Sequence, residues 1–84
     1  MAIVLVTREA QKQFDSLPVV IQTRVEKVYR RLERWPEVSG AKPLSGDLAG
    51  HYRVRTGDYR IQFFVRGDVV TVEKVGHRDG FYGE

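Results

Sequence analysis

With 84 residues and no cysteine, the chain is one domain with a single modest core, and a disulfide scaffold, thiol catalysis and a cysteine-built zinc site are excluded. The apolar fraction is ordinary and no low-complexity tract interrupts it, which argues against disorder. The net charge of +3 comes mostly from arginine, and a small basic chain suits an acidic or polyanionic partner.

The opening run MAIVLV is apolar but too short for a bilayer span, and it lacks the basic start of a signal peptide. A cytoplasmic protein with no membrane partner is therefore expected, and the absence of cysteine is compatible with a reducing compartment. Residues 2–6 read as a short buried strand with β-branched character. Thr7 is a fair N-cap for a first helix reaching about Ser16, with Ala10, Phe14 and Leu17 as its inward stripe. Pro18 suits the first turn of a second helix, where its missing N–H costs nothing. Ile21, Val25, Val28 and Leu32 then follow at four-three-four spacing on one face, and Trp35-Pro36 closes the helix. Two helices joined by so short a link fold back as an antiparallel hairpin. Arg24, Lys27, Arg30, Arg31 and Arg34 decorate the outer face with Glu26 and Glu33, a pattern that reads as a solvated helix or as an auxiliary RNA contact.

Residues 37–50 read as a loop rich in Gly, Ser, Pro and Lys. The run HYRVRTGDYR that follows is a hairpin turning at Gly57-Asp58. Alternation puts Tyr52 and Val54 on one face of its first strand and His51, Arg53 and Arg55 on the other. Arg55 then lies opposite Arg60, Arg53 opposite Gln62, Val54 opposite Ile61 and Tyr52 opposite Phe63. A one-residue slip would set arginines against apolar residues, so the pattern selects this register. A third strand over residues 69–75 follows a Gly67-Asp68 turn. In that register Glu73 falls opposite Gln62, and Lys74 would point inward unless a bulge intervenes near the strand end. Tyr52, Tyr59 and Phe63 read as core, and Phe64 lies on the open face. The order of a strand, two helices and a three-strand antiparallel meander makes an α+β domain over residues 1–84, the helical hairpin covering the apolar face of the sheet.

The open face gathers like charges, which repel unless water or an anion separates them. A solvated outer face explains this, and so does an anion site, since Arg grips phosphate through a planar fork of donors. The tail contributes His77, Arg78 and Tyr82. Arg53, Arg55 and Arg60 with that trio suit RNA cleavage by a neighbouring 2′-hydroxyl. Arginine stabilises the five-coordinate phosphate, histidine titrates near neutrality, and tyrosine stacks on an unpaired base. Arg53, Arg55, Gln62 and Phe64 are the expected substrate contacts, and no cofactor or metal ion is called for.

The run KPLSGDLAGHYRVRTGDYRI over residues 42–61, the sequence Val75-Gly-His-Arg, the final Tyr82 and the early Leu17-Pro-Xaa-Xaa-Ile resemble the RelE/ParE toxins of bacterial toxin–antitoxin modules. The resemblance implies the RelE-like β-α-α-β-β-β fold and a cognate antitoxin. For RelE-like members it implies an endoribonuclease that cuts messenger RNA in the ribosomal A site. Arg53 and Arg55 match the basic residues of the first meander strand in such enzymes. Arg60 matches a phosphate and transition-state clamp, Arg78 a candidate acid, and Tyr82 a base-stacking ring. ParE-like members of the same fold imply instead a non-enzymatic inhibitor of DNA gyrase. The best-known RelE-like member carries lysine at the positions of Arg53 and Arg55. Arginine, with a pKa above about 12, is a poor general base, which leaves His77, His51 and Glu73 as candidate proton acceptors, in that order.

Overall fold

The computed structural model describes residues 1–81. Its elements are β1 (Ile3–Val6), α1 (Arg8–Asp15), α2 (Val19–Leu32), β2 (Lys42–Pro43), a 3-10 turn (Gly46–Leu48), β3 (His51–Thr56), β4 (Tyr59–Arg66), β5 (Val69–His77) and a short α3 (Arg78–Phe81). Thr7 caps α1, its hydroxyl accepting from the Ala10 N–H at 3.1 Å. Pro18 stands one place earlier than expected, as the N-cap of α2. Gln22 Nε2 donates to the Phe14 carbonyl at 3.0 Å and pins the two helices together at their joint.

The five strands form one sheet in the order β1-β5-β4-β3-β2. β3 and β4 pair in the register that alternation selects: Arg55 with Arg60, Val54 with Ile61, Arg53 with Gln62 and Tyr52 with Phe63. Both hairpin turns have positive φ only at their glycine, +60° at Gly57 and +58° at Gly67, the conformation that a Gly-first two-residue turn requires. Residues 37–50, expected to be loop, contain β2, which pairs Lys42 with Arg53 and Pro43 with Tyr52 along the outer edge. Two residues carry no readable period, and Pro43 is tolerated because it sits on an edge. β1 closes the other side, running parallel to β5 with Ile3 against Val69 and Val6 against Val72.

The ladder between β4 and β5 slips by one residue between Gln62 and Phe63: Phe63 pairs with Val72 but Gln62 with Lys74. This is the bulge that the inward Lys74 called for, and Glu73 is the extra residue. Glu73 therefore does not face Gln62 as a ladder partner; Lys74 takes that place. The gain is that Val75, beyond the bulge, returns to the core, 2% exposed. Its N–H donates to Gln13 Oε1 at 2.8 Å, tying α1 to the strand.

The core lies between the helical hairpin and one face of the sheet. Ala10, Val25, Val28 and Leu32 meet Val54, Ile61, Phe63, Val70, Val72 and Val75, all buried. Phe63 stands at its centre, stacked on Tyr52 at 5.6 Å and met edge-on by Trp35 at 5.5 Å. Tyr59, expected in the core, is half-buried at the rim, edge-on to His77 at 5.2 Å.

Candidate functional site

The face of the sheet away from the core carries the polar residues of β3, β4 and β5 in cross-strand rows. His51 lies level with Phe64 and Thr71, Arg53 with Gln62 and Lys74, and Arg55 with Arg60 and Gly76. The strands thus bring Arg53, Arg55, Arg60, Gln62 and Phe64 onto one surface. Lys74 joins them; the bulge turns it outward, and only the need to relieve its inward position signalled this.

Arg55 is exposed, whereas Arg60 is buried, at 7% exposure. Arg60 bends back to the hairpin turn, where its Nη1 donates to the carbonyls of Gly57 and Tyr59, both at 3.4 Å. Its Nε has no hydrogen-bond partner among the described residues. Among the described residues no carboxylate pairs with this buried guanidinium. Unpaired burial of a charge is costly, and it leaves a site ready for an anionic ligand.

At the other end of this face, His51 Nδ1 meets Glu73 Oε2, and Gln62 Nε2 donates to that same oxygen at 3.0 Å. The His51 and Glu73 side chains keep 26% and 22% exposure, within reach of solvent. Phe64 lies beside the imidazole, 5.4 Å between ring centres, with the Arg66 guanidinium 5.9 Å from its own centre. An aromatic ring with a guanidinium over it in this way can receive an unstacked base.

His77, expected to join this cluster, does not. It pairs with Tyr59 on β5, and so shares the face of Tyr59, Ile61 and Val75, opposite to that of Arg60. The bulge is the reason: one inserted residue reverses the parity of everything beyond it. His77 Nδ1 accepts the Asp79 N–H at 3.1 Å, capping the turn into α3. Arg78 is anchored by its own N–H, which donates to the Asp58 carbonyl at 2.8 Å in the turn next to Arg60. Its side chain is more than half exposed, with Nε 3.7 Å from Asp79 Oδ1. Tyr82 lies outside the described residues.

On the far side of the molecule Arg30, Arg31 and Arg34 line an open hollow at the end of α2 with Val38 and Ser39. Arg31 is used structurally there, Nη2 donating to the Ser39 carbonyl at 2.6 Å. Among the described residues no helix is long and apolar enough to cross a membrane.

The fold has known counterparts. Residues 4–80 match the family model described as the ParE toxin of the parDE type II toxin–antitoxin system. The chain belongs to the RelE/ParE toxin superfamily. Its fold is shared with the RelBE2 toxin–antitoxin complex of Mycobacterium tuberculosis at 30% identity and a TM-score of 0.81, over 92% of this chain and 91% of that one. The RelB–RelE complex of Methanococcus jannaschii matches at 24% identity and a TM-score of 0.79, over 94% and 95% of the two chains. The isolated RelE toxin of Escherichia coli matches in fold at 18% identity and a TM-score of 0.77, over 92% and 84%. No curated protein matches in sequence. The toxin's α+β fold, with its mixed five-stranded sheet, is thus the RelE-like one.

Proposed function

We propose that this toxin is an endoribonuclease that cuts messenger RNA in the ribosomal A site by attack of a 2′-hydroxyl on the adjacent phosphate, so inhibiting translation. The observation that carries the reading is Arg60, a buried guanidinium with no acid partner among the described residues, level with the exposed Arg55 on the open face. A phosphodiester supplies the missing anion. Charge accumulates on its oxygens in the five-coordinate transition state, where prearranged donors act most strongly. Arg53 and Arg55 hold the neighbouring backbone, Gln62 and Phe64 contact a base, and Arg78, tied to the turn beside Arg60, reaches the leaving-group side. Tyr82 remains a proposed stacking ring. The ribosome enters from the resemblance to RelE-like enzymes.

Relatives of this chain have been crystallised as toxin–antitoxin complexes. A cognate antitoxin is the proposed physiological partner here, its acidic or amphipathic segment folding over the domain and covering the cationic face. The cytoplasm is the proposed site of action. One observation favours a second reading: the matching family model is that of ParE toxins, so a non-enzymatic block of DNA gyrase on the same fold is the alternative.

The deciding experiment maps cleavage of a translated messenger at nucleotide resolution, with and without ribosomes. Codon-registered cuts only with ribosomes are expected, falling by about 10²–10³ in Arg60→Ala with the melting curve still cooperative. A folded toxin that arrests growth and stalls replication while leaving transcripts intact would replace this reading with gyrase inhibition.

A further inference from the structure

Cleavage by a 2′-hydroxyl needs a proton acceptor, and we propose that it is His51, with Glu73 as the residue that positions it. The inference rests on the ribonuclease reading and identifies a group that this reading leaves open. An ionised carboxylate only accepts hydrogen bonds, so the contact between His51 Nδ1 and Glu73 Oε2 places the imidazole proton on Nδ1. The lone pair is then on Nε2, the nitrogen turned away from Glu73. Gln62 Nε2, donating to the same carboxylate oxygen at 3.0 Å, fixes the acid from a neighbouring strand. Glu73 owes its freedom to swing toward β3 to the bulge, which lifts it out of the ladder.

Placement agrees with the tautomer. His51, Arg53 and Arg55 alternate along one face of β3, so the imidazole stands about 7 Å along the strand from Arg53. A nucleotide whose phosphate lies on the arginines extends its ribose toward His51 and its base toward Phe64, which packs beside that ring at 5.4 Å. The competing histidine is arranged the opposite way. His77 stands on the other face, and its Nδ1 already accepts the Asp79 N–H, so its neutral form carries the proton on Nε2 and offers no lone pair there.

In the step itself, His51 Nε2 takes the 2′-hydroxyl proton while the 2′-oxygen forms its bond to phosphorus. The bond from phosphorus to the 5′-oxygen breaks, and that oxygen takes a proton from water. The products are a 2′,3′-cyclic phosphate and a 5′-hydroxyl, and the imidazolium, held against Glu73, returns its proton to solvent. The charged groups facing His51 are Glu73 and Lys74 from β5, Arg53 on its own strand, Arg66 from β4 across Phe64, and Lys42 from β2 opposite Arg53.

The test is a single-turnover pH–rate profile of ribosome-dependent cleavage for the wild type, His51→Ala, Glu73→Gln and His77→Ala. The wild-type rate is expected to rise with pH across the imidazole titration. His51→Ala should lose about 10²–10³ in rate along with that rise, and free imidazole in the buffer should restore part of the rate. Glu73→Gln, close in shape, should keep the fold and the rise but move its midpoint, which a merely structural carboxylate would not do. A wild-type profile in His51→Ala, or loss of the pH dependence in His77→Ala instead, would overturn the assignment. A wild type that cuts nothing would sink the ribonuclease reading and this assignment with it.

Discussion

The covered and open faces of the sheet are drawn from the same three strands, residue by alternate residue, and they differ in what each side chain leaves unsatisfied. On the covered face Val54, Ile61, Phe63, Val70, Val72 and Val75 are all buried against the helices, and every one is an apolar group whose demand ends with close packing. On the open face Arg60 is also buried, yet its Nε finds no partner among the described residues, while Arg55 across from it adds a second positive charge. Packing alone would not select such a pair. The contrast teaches that close packing accounts for one face and leaves the other unexplained, which is what the proposed phosphate site addresses.

The contrast can be broken from either side. Phe63→Ala should have the largest effect on stability, a loss of about 3–5 kcal/mol for a wholly buried aromatic ring, read as a drop in the denaturant midpoint. Arg60→Met should act in the opposite sense: it removes a buried charge that has no acid partner among the described residues, so the melting temperature should hold or rise while cleavage disappears. A melting temperature lowered as far as in Phe63→Ala would show Arg60 to be a structural residue and would remove the asymmetry between the faces.

A subtler contrast lies beneath the helices, where Tyr29 brings a phenol to the covered side. Its hydroxyl is buried with no partner among the described residues, and burial, with Glu26 nearby adding to it, pushes its pKa from 10.0 up to about 12. Between those values the unfolded chain gives up the phenol proton and the folded chain keeps it, so this group's contribution is intact below pH 10 and is lost as pH rises toward 12. Melting temperatures between pH 9 and 12 should therefore fall more steeply for the wild type than for Tyr29→Phe. Near neutral pH the variant should match or slightly exceed the wild type, because it removes an unsatisfied buried hydroxyl. Parallel pH curves for the two proteins would contradict this.

Much of the makeup of the open face was legible in the sequence. Arg53, Arg55, Arg60, Gln62 and Phe64 fall on one face because alternation in a half-buried hairpin leaves a single register that hides the apolar residues. The face on which His77 lies was not legible there. The inward position of Lys74 announced a bulge but not its place, and the side on which His77 emerges depends on that place. The link from His51 to Glu73 was beyond reach for the same reason: the residues are 22 apart in sequence and meet only once the extra residue of β5 is located.

The one-dimensional pattern determined the helical hairpin, the β3–β4 register and the segregation of charge from core, because local periods of 3.6 and 2 residues are properties of adjacent side chains. Tertiary structure alone decided the parallel docking of β1 against β5, the two-residue β2 at the edge and the burial of Arg60. It also chose which histidine stands with the arginines. Each of these depends on how distant segments share hydrogen bonds and space, and a ladder displaced by one residue on β5 was enough to move a side chain from one face to the other.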